Sequence, residues 1–239
     1  MNELALFAGA GGGILGGKLL GWTTVCAVEI NVYRARRLMQ RQNEGHLSPF
    51  PVWDDVRTFD GHKWKGCVDV VSGGFPCQDI SSAGTGAGLE GERSGLWVEM
   101  ARIIDEVRPR FVLVENSPML TSRGLGRILG DLAEIRFDAR WGSFTARDEG
   151  APIERERLFI ACANKEYGEE RLGFFKEQQA AVQKRSAGQC PGFWLQAPPD
   201  HSGMVNGVAN YVESVGAIGD GQVPAVVKTA WETLIFIKT

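Results

Sequence analysis

The chain has 239 residues, 44% hydrophobic and 23% charged, with a formal net charge of −3 at pH 7: one medium domain, or one with a small appendage, and enough apolar sequence for a sizeable core. The acidic balance argues against indiscriminate binding to polyanions, although it leaves room for a local basic groove. Five cysteines without a CxxC pair argue against a disulfide framework and for a reducing compartment, three scattered histidines argue against a metal cluster, and no stretch reads as a signal peptide or a membrane span.

The first element is a buried strand over Leu4–Phe7, broken by the glycines that follow. β-Branched and apolar residues predict a second strand over Thr23–Val28. Asn31 can cap a helix to about Asn43, with Gly45 as its stop. Val68–Ser72 is a third strand. Ser94 opens a helix in which Leu96, Met100, Ile103, Ile104 and Val107 recur at helical spacing, and Pro109 ends it. A fourth strand covers Phe111–Glu115. Leu125, Ile128, Leu129 and Leu132 mark another helix, and two further strands over 140–145 and 157–162 flank a long turn. From 164 to about 205 the sequence is polar and aperiodic, a small separate element or a long loop. Val223, Val226, Val227, Ala230, Trp231 and Leu234 then trace one helix face, with Pro224 in its first turn. Strands alternating with helices predict an α/β fold, a mostly parallel sheet covered on both faces.

Four segments carry chemistry. Phe7-Ala8-Gly9-Ala10-Gly11-Gly12-Gly13 puts glycines at a strand-to-helix turn, where a ligand can approach the backbone. Glu29 ends the second strand, where an acid can accept from ribose hydroxyls, and Asp55 could serve an adenine edge. This pattern suits a dinucleotide or S-adenosylmethionine, and a plain tight turn would use the same glycines. Cys77 follows the third strand in Ser72-Gly73-Gly74-Phe75-Pro76-Cys77-Gln78, ahead of a glycine-rich loop that reads as a lid. A thiol at a strand exit suits a nucleophile, while packing in the core is the common fate of a free cysteine. Glu115-Asn116-Ser117-Pro118 ends the fourth strand, so its carboxylate shares the sheet edge with Cys77, and Asn116 or Ser117 can cap a helix. Arg155 and Arg157 alternate on an extended chain and share a face, suited to phosphate or carbonyl oxygen, or to a solvated pairing with Glu154 and Glu156. Arg34, Arg37 and Arg41 form either a basic stripe toward DNA or a solvated helix face.

Together, and in this order, the segments resemble the DNA (cytosine-5) methyltransferase family. Phe7–Gly13 is similar to its first S-adenosylmethionine motif, 74–78 (Gly-Phe-Pro-Cys-Gln) to its nucleophile motif, and Glu115-Asn116-Ser117 to its Glu-Asn-Val motif. Arg155 and Arg157 match the arginines of its Gln-x-Arg-x-Arg motif, with Glu154 in place of Gln, and 219–224 resembles its last motif, with Asp220 in place of Asn. The likeness covers about 3–162 and 206–237.

The resemblance implies a Rossmann-like methyltransferase in three parts: a catalytic unit over 1–163, a short target-recognition element over 164–205, and a closing segment over 206–239. It implies S-adenosylmethionine as cofactor, held by Phe7, Ala8, Gly9, Ala10, Gly11, Gly12, Glu29, Ile30, Asp55, Val56, Pro76, Leu96, Asp220 and Gln222. In the implied reaction Cys77 attacks C6 of a cytosine flipped out of duplex DNA, and Glu115 gives or shares a proton at N3. Arg157 holds the base through O2, Arg155 helps to place the nucleotide, and 78–93 closes over the DNA. Asp220 would face the cofactor's carboxylate and weaken binding unless solvated or protonated. Lys184 and Arg185 are candidate phosphate contacts and Trp194 a stacking or packing residue, or else part of a solvated loop. The implied setting is the cytoplasm of a bacterial or phage-infected cell, with double-stranded DNA and a cognate restriction endonuclease as partners, no membrane, no metal and a monomeric chain. Methylation of RNA cytosine by the same chemistry stays open, as does a non-catalytic nucleic-acid- or cofactor-binding relative. A nicotinamide oxidoreductase would leave Cys77, Glu115 and the arginines unexplained.

Overall fold

The computed structural model describes residues 1–76, 95–167 and 221–236, and within them seven strands form one sheet. The elements run β1 (Asn2–Leu6), α1 (Gly12–Leu19), β2 (Thr23–Val28), α2 (Val32–Asn43), β3 (Val52–Trp53), β4 (Val70–Gly73), α3 (Leu96–Val107), β5 (Phe111–Asn116), α4 (Leu120–Arg123), α5 (Leu125–Glu134), β6 (Phe137–Thr145), β7 (Glu156–Asn164) and α6 (Pro224–Phe236). Strand order is β3-β2-β1-β4-β5-β7-β6. All neighbours are parallel except β7, which runs antiparallel to both β5 and β6. This is a Rossmann-like sheet, and its order reverses at β1, where the ends of β1 and β4 open a ligand crevice.

The period of two along each strand assigns side chains to faces. Leu4, Leu6, Val71, Val112, Val114, Leu158 and Ile160 pack under α3 and α5. Phe111, Leu113, Phe159 and Ala161 turn the other way, onto α6, where Trp231 meets Trp22 and Phe111 edge to face. Ala5 and Ala27 pack with Ile14 and Leu38 beneath α1 and α2. Burial on both faces explains why β5 opens with the apolar run Phe111–Val114.

Three elements had no clear signal in the sequence. Half of α1 is glycine, which gives it weak intrinsic helicity. Packing holds it instead: a Cβ on Gly16 would lie 2.5 Å from the Val227 Cβ, so glycine lets α1 and α6 touch. β3 has two residues and α4 four. β1 stops at Leu6, not Phe7, because Phe7 takes a left-handed φ of +52°. α3 begins at Leu96, and Ser94 lies outside the described residues. No helix among the described residues is long and apolar enough to cross a membrane.

Glu3 is fully buried at the start of β1. Thr24 Oγ1 donates to its Oε2 at 2.7 Å and Ser72 Oγ to its Oε1 at 2.6 Å. Burial outweighs both bonds and pushes the carboxyl from 4.5 up to about 7. The folded chain therefore keeps a proton that the unfolded chain has released above pH 4.5. Stability should fall as pH rises from about 4.5 to about 7, by up to about 3 kcal/mol from this group, and then level off. Urea titrations of wild type and Glu3→Gln across this range should differ by that slope. Identical pH dependence would show that Glu3 ionises in the fold as freely as in the open chain.

Candidate functional site

The crevice at the strand ends is a cavity of about 680 Å³, within the range of small-molecule sites. Its wall begins with the turn after β1. Phe7 leaves the strand in its left-handed conformation, which costs a non-glycine residue about 1–3 kcal/mol. Ala8 N–H then donates to Val28 O at 3.0 Å, and Gly11 N–H to Ala8 O at 3.0 Å. Gly9 has φ +58° and nothing within 4 Å of where a Cβ would stand, so its bare Cα faces the open cavity.

Glu29 fixes that turn. Its buried carboxylate accepts Gly9 N–H on Oε2 at 2.7 Å and Asn31 N–H on Oε1 at 2.8 Å. One side chain thereby joins the glycine turn to the start of α2, where Asn31 caps the helix by accepting from Arg34 N–H. Across the mouth, Asp55 accepts Arg57 N–H at 2.9 Å and begins a short 3-10 turn that contains Val56.

The opposite wall is Gly73, the last residue of β4, with Gly74-Phe75-Pro76 after it. Asn116 Nδ2 donates to Phe75 O at 3.3 Å, and Asn116 Oδ1 accepts Ser117 N–H at 2.7 Å. The end of β5 thus holds the exit of β4. Glu115 pairs through Oε1 with Arg157 Nε at 2.9 Å. A Cβ on Gly74 would lie 2.5 Å from Glu115 Oε2, so only glycine lets the carboxylate rest there. Arg155 Nη2 donates to Gly221 O at 2.7 Å.

Of the residues singled out in the sequence, Phe7, Ala8, Gly9, Glu29, Ile30, Asp55, Val56, Pro76, Leu96, Gln222, Glu115 and Arg157 line the cavity. Ala10, Gly11 and Gly12 do not. Gly11 sits at φ +93° over Leu38, and Gly12 lies under the carbonyl of Gln222. Arg155 lines a small recess behind the cavity, with Glu115, Arg157 and Gln222. The surface pairing with Glu154 is made by Arg147, at 3.4 Å. Arg34 lines the cavity, while Arg37 stacks on Tyr33 and donates to Gln40. Cys77, Asp220, the 78–93 loop, Lys184, Arg185 and Trp194 lie outside the described residues.

Sequence reading missed the Glu29 clamp and the hold of Asn116 on Phe75. Each pairs residues distant in sequence or a side chain with a loop carbonyl, and residue type does not announce such a bond. It also missed Asp60, His62 and Glu106, whose ligand atoms lie within 4.8 Å of one another away from the cavity. Glu106 is already engaged there by Arg102 and Gly61 N–H. The thiols of Cys26 and Cys162 are in the core, and burial pushes both upward. Cys67 is exposed, and its carbonyl is held by Asn2, at the other end of β1.

Residues 1–215 match the family model of the C-5 cytosine-specific DNA methylases. The chain belongs to that family. It is 36% identical over 164 residues to the type II methyltransferase M.Eco47II of Escherichia coli, covering 66% of this chain and 38% of that protein. To M.CviJI of Paramecium bursaria Chlorella virus IL3A it is 32% identical over 173 residues, covering 72% and 45%. The chain therefore spans less than half the length of these relatives. A crystal structure of a prophage-encoded Escherichia coli protein, assigned as a DNA modification methyltransferase, superposes with a TM-score of 0.56 at 26% identity, covering 70% of this chain and 47% of that one.

In this family member the Glu29 clamp makes a specific prediction. Glu29→Gln must turn an amide N–H toward one of two backbone N–H groups. That change should lower stability by about 1–3 kcal/mol in urea at neutral pH. Full stability would show that one of the two bonds carries no weight.

Proposed function

We propose that this chain transfers a methyl group from S-adenosylmethionine to carbon 5 of cytosine in duplex DNA, with Cys77 as nucleophile. The observation that carries the reading is the Arg157–Glu115 pair on the wall of the cavity, beside the Gly74-Phe75-Pro76 run that leads in sequence to Cys77.

The residues of the cavity fit the cofactor. A carboxylate offers about four lone-pair sites, and Glu29 uses two on backbone N–H groups, which leaves acceptors for ribose hydroxyls. The bare Cα of Gly9 gives a ligand room against the turn. Ile30, Val56 and Leu96 supply apolar wall for a purine, and Asp55 supplies an acceptor for its amine. Bound there, S-adenosylmethionine would supply the methyl group that carbon 5 takes up.

The protein's own work is then proton and charge control. The Cys77 thiolate adds to C6 of a base turned out of the duplex and opens the C5=C6 double bond; once carbon 5 is methylated, loss of its proton expels Cys77 and restores that double bond. A guanidinium beside the thiol, the role proposed for Arg157, would favour its ionised form. Glu115 gives or shares a proton at N3, so that negative charge does not build on the ring. Arg157 orients that carboxyl through Oε1 and supplies a donor for the base oxygen O2. Asn116 steadies the chain that leads to Cys77 by holding the Phe75 carbonyl. A restriction endonuclease of matching specificity is the proposed cellular counterpart.

Mixed-sequence duplex DNA carrying 5-fluorocytosine, incubated with S-adenosylmethionine, tests the chemistry. Fluorine cannot leave as a proton does, so the protein–DNA adduct should survive denaturant and be absent in Cys77→Ser. Glu115→Gln should form the adduct slower by about 10²–10⁴-fold. Methylation surviving Cys77→Ser would remove the nucleophile, and an adduct on structured RNA alone would change the substrate.

A further inference from the structure

Gln222 occupies space that three glycines leave open. A Cβ on Gly13 would lie 2.7 Å from Gln222 Oε1, one on Gly74 3.2 Å from Gln222 Nε2, and one on Gly12 2.2 Å from the Gln222 carbonyl oxygen. A glycine Cα is neither a conventional donor nor acceptor, so the fit at these points is one of volume. Gly74 has a second neighbour on the same bare Cα, Glu115 Oε2. The amide and the carboxylate thus both crowd the place where a Gly74 side chain would stand. The backbone just before Gln222 is pinned by Arg155, which donates to Gly221 O at 2.7 Å. Arg155, Gln222, Glu115 and Arg157 line one recess behind the main cavity.

We propose that Gln222 is a positioning residue. By filling volume it spaces the N-terminus of α1 from the exit of β4 and keeps Glu115 seated against Gly74, and Arg155 acts through it. The consequence for catalysis rests on the methyl-transfer reading, while the geometry does not. Arg155, expected from the sequence to place the nucleotide, then serves the closing segment, and the Gln222 amide serves the acid more than the cofactor.

Three substitutions separate volume from polarity. Gln222→Met keeps the length without the amide, Gln222→Asn keeps the amide one methylene short, and Gln222→Ala removes both. Protein labelled with ¹³C at the glutamate side-chain carboxyl, with Glu115 assigned through Glu115→Gln, reports the Glu115 titration by NMR whether or not methyl transfer occurs. Water entering the gap in the Ala and Asn variants changes the surroundings of the carboxylate and should move its titration point, while the Met variant should titrate as wild type. In methyl transfer the Ala variant should lose about ten-fold in kcat, with KM for S-adenosylmethionine nearly unchanged. Arg155→Ala should reproduce the shift without adding to it in the double variant. A Met variant that shifts as the Ala variant does would overturn the proposal, and so would three unshifted variants with weakened S-adenosylhomocysteine binding. Should Gln222→Ala not fold, the Met and Asn pair still decides. A wild-type chain that forms no adduct with 5-fluorocytosine DNA would sink the methyl-transfer reading and leave this titration to be judged alone.

Discussion

The antiparallel insertion of β7 is the constraint on which the site depends. Its register sets Glu115 opposite Phe159 and Asn116 opposite Leu158, so β7 begins where β5 ends. Arg157, the residue before Leu158, can therefore reach Glu115 at the rim of the crevice. A parallel strand in the same slot would put that arginine at the far edge of the sheet. Both side chains are mostly withdrawn from water, Glu115 at 10% exposure and Arg157 at 29%. Removing either would leave the other poorly solvated and without this opposite charge, the costly way to break an ion pair.

Around that pair, shape is set by the absence of side chains as much as by their presence. Gly9 leaves open space at the turn, Gly16 admits Val227, and Gly74 admits Glu115. The first opens a surface to a ligand and the other two permit packing. Glycines in this fold thus serve two ends, and only their three-dimensional surroundings separate them. The closing segment shows the same economy. Trp231 fills the core between Trp22 and Phe111, while ten residues earlier the Gly221 carbonyl receives Arg155.

Legibility in the sequence followed how local the determining physics was. β2, α2 and α5 announced themselves through β-branched runs, an Asn cap and helical spacing, and Thr23–Val28 has the bounds read from the sequence. α1 was hidden because its stability is tertiary, in its contact with α6. The antiparallel sense of β7 was hidden because a buried strand of either sense is an apolar run. Glu29 stood out as an acid at a strand end, but its bonds to Gly9 and Asn31 need three dimensions. The pairing of Arg157 with Glu115 joins two motifs 42 positions apart; the sequence put Glu115 on the sheet edge of Cys77 and gave no place for Arg157 relative to it. Cys77 rests on its motif and on its neighbour Pro76 at the cavity wall.

The most direct test of the account is a double-mutant cycle between Glu115 and Arg157, read on single-turnover methyl transfer to duplex DNA. Glu115→Gln and Arg157→Met would be measured singly and together, with cofactor and DNA saturating. The account predicts strong coupling, with the double variant little worse than the poorer single and an interaction energy of about 2–3 kcal/mol. Losses that simply add would mean that the two side chains act independently, and that the meeting of β5 and β7 does not build the reactive centre.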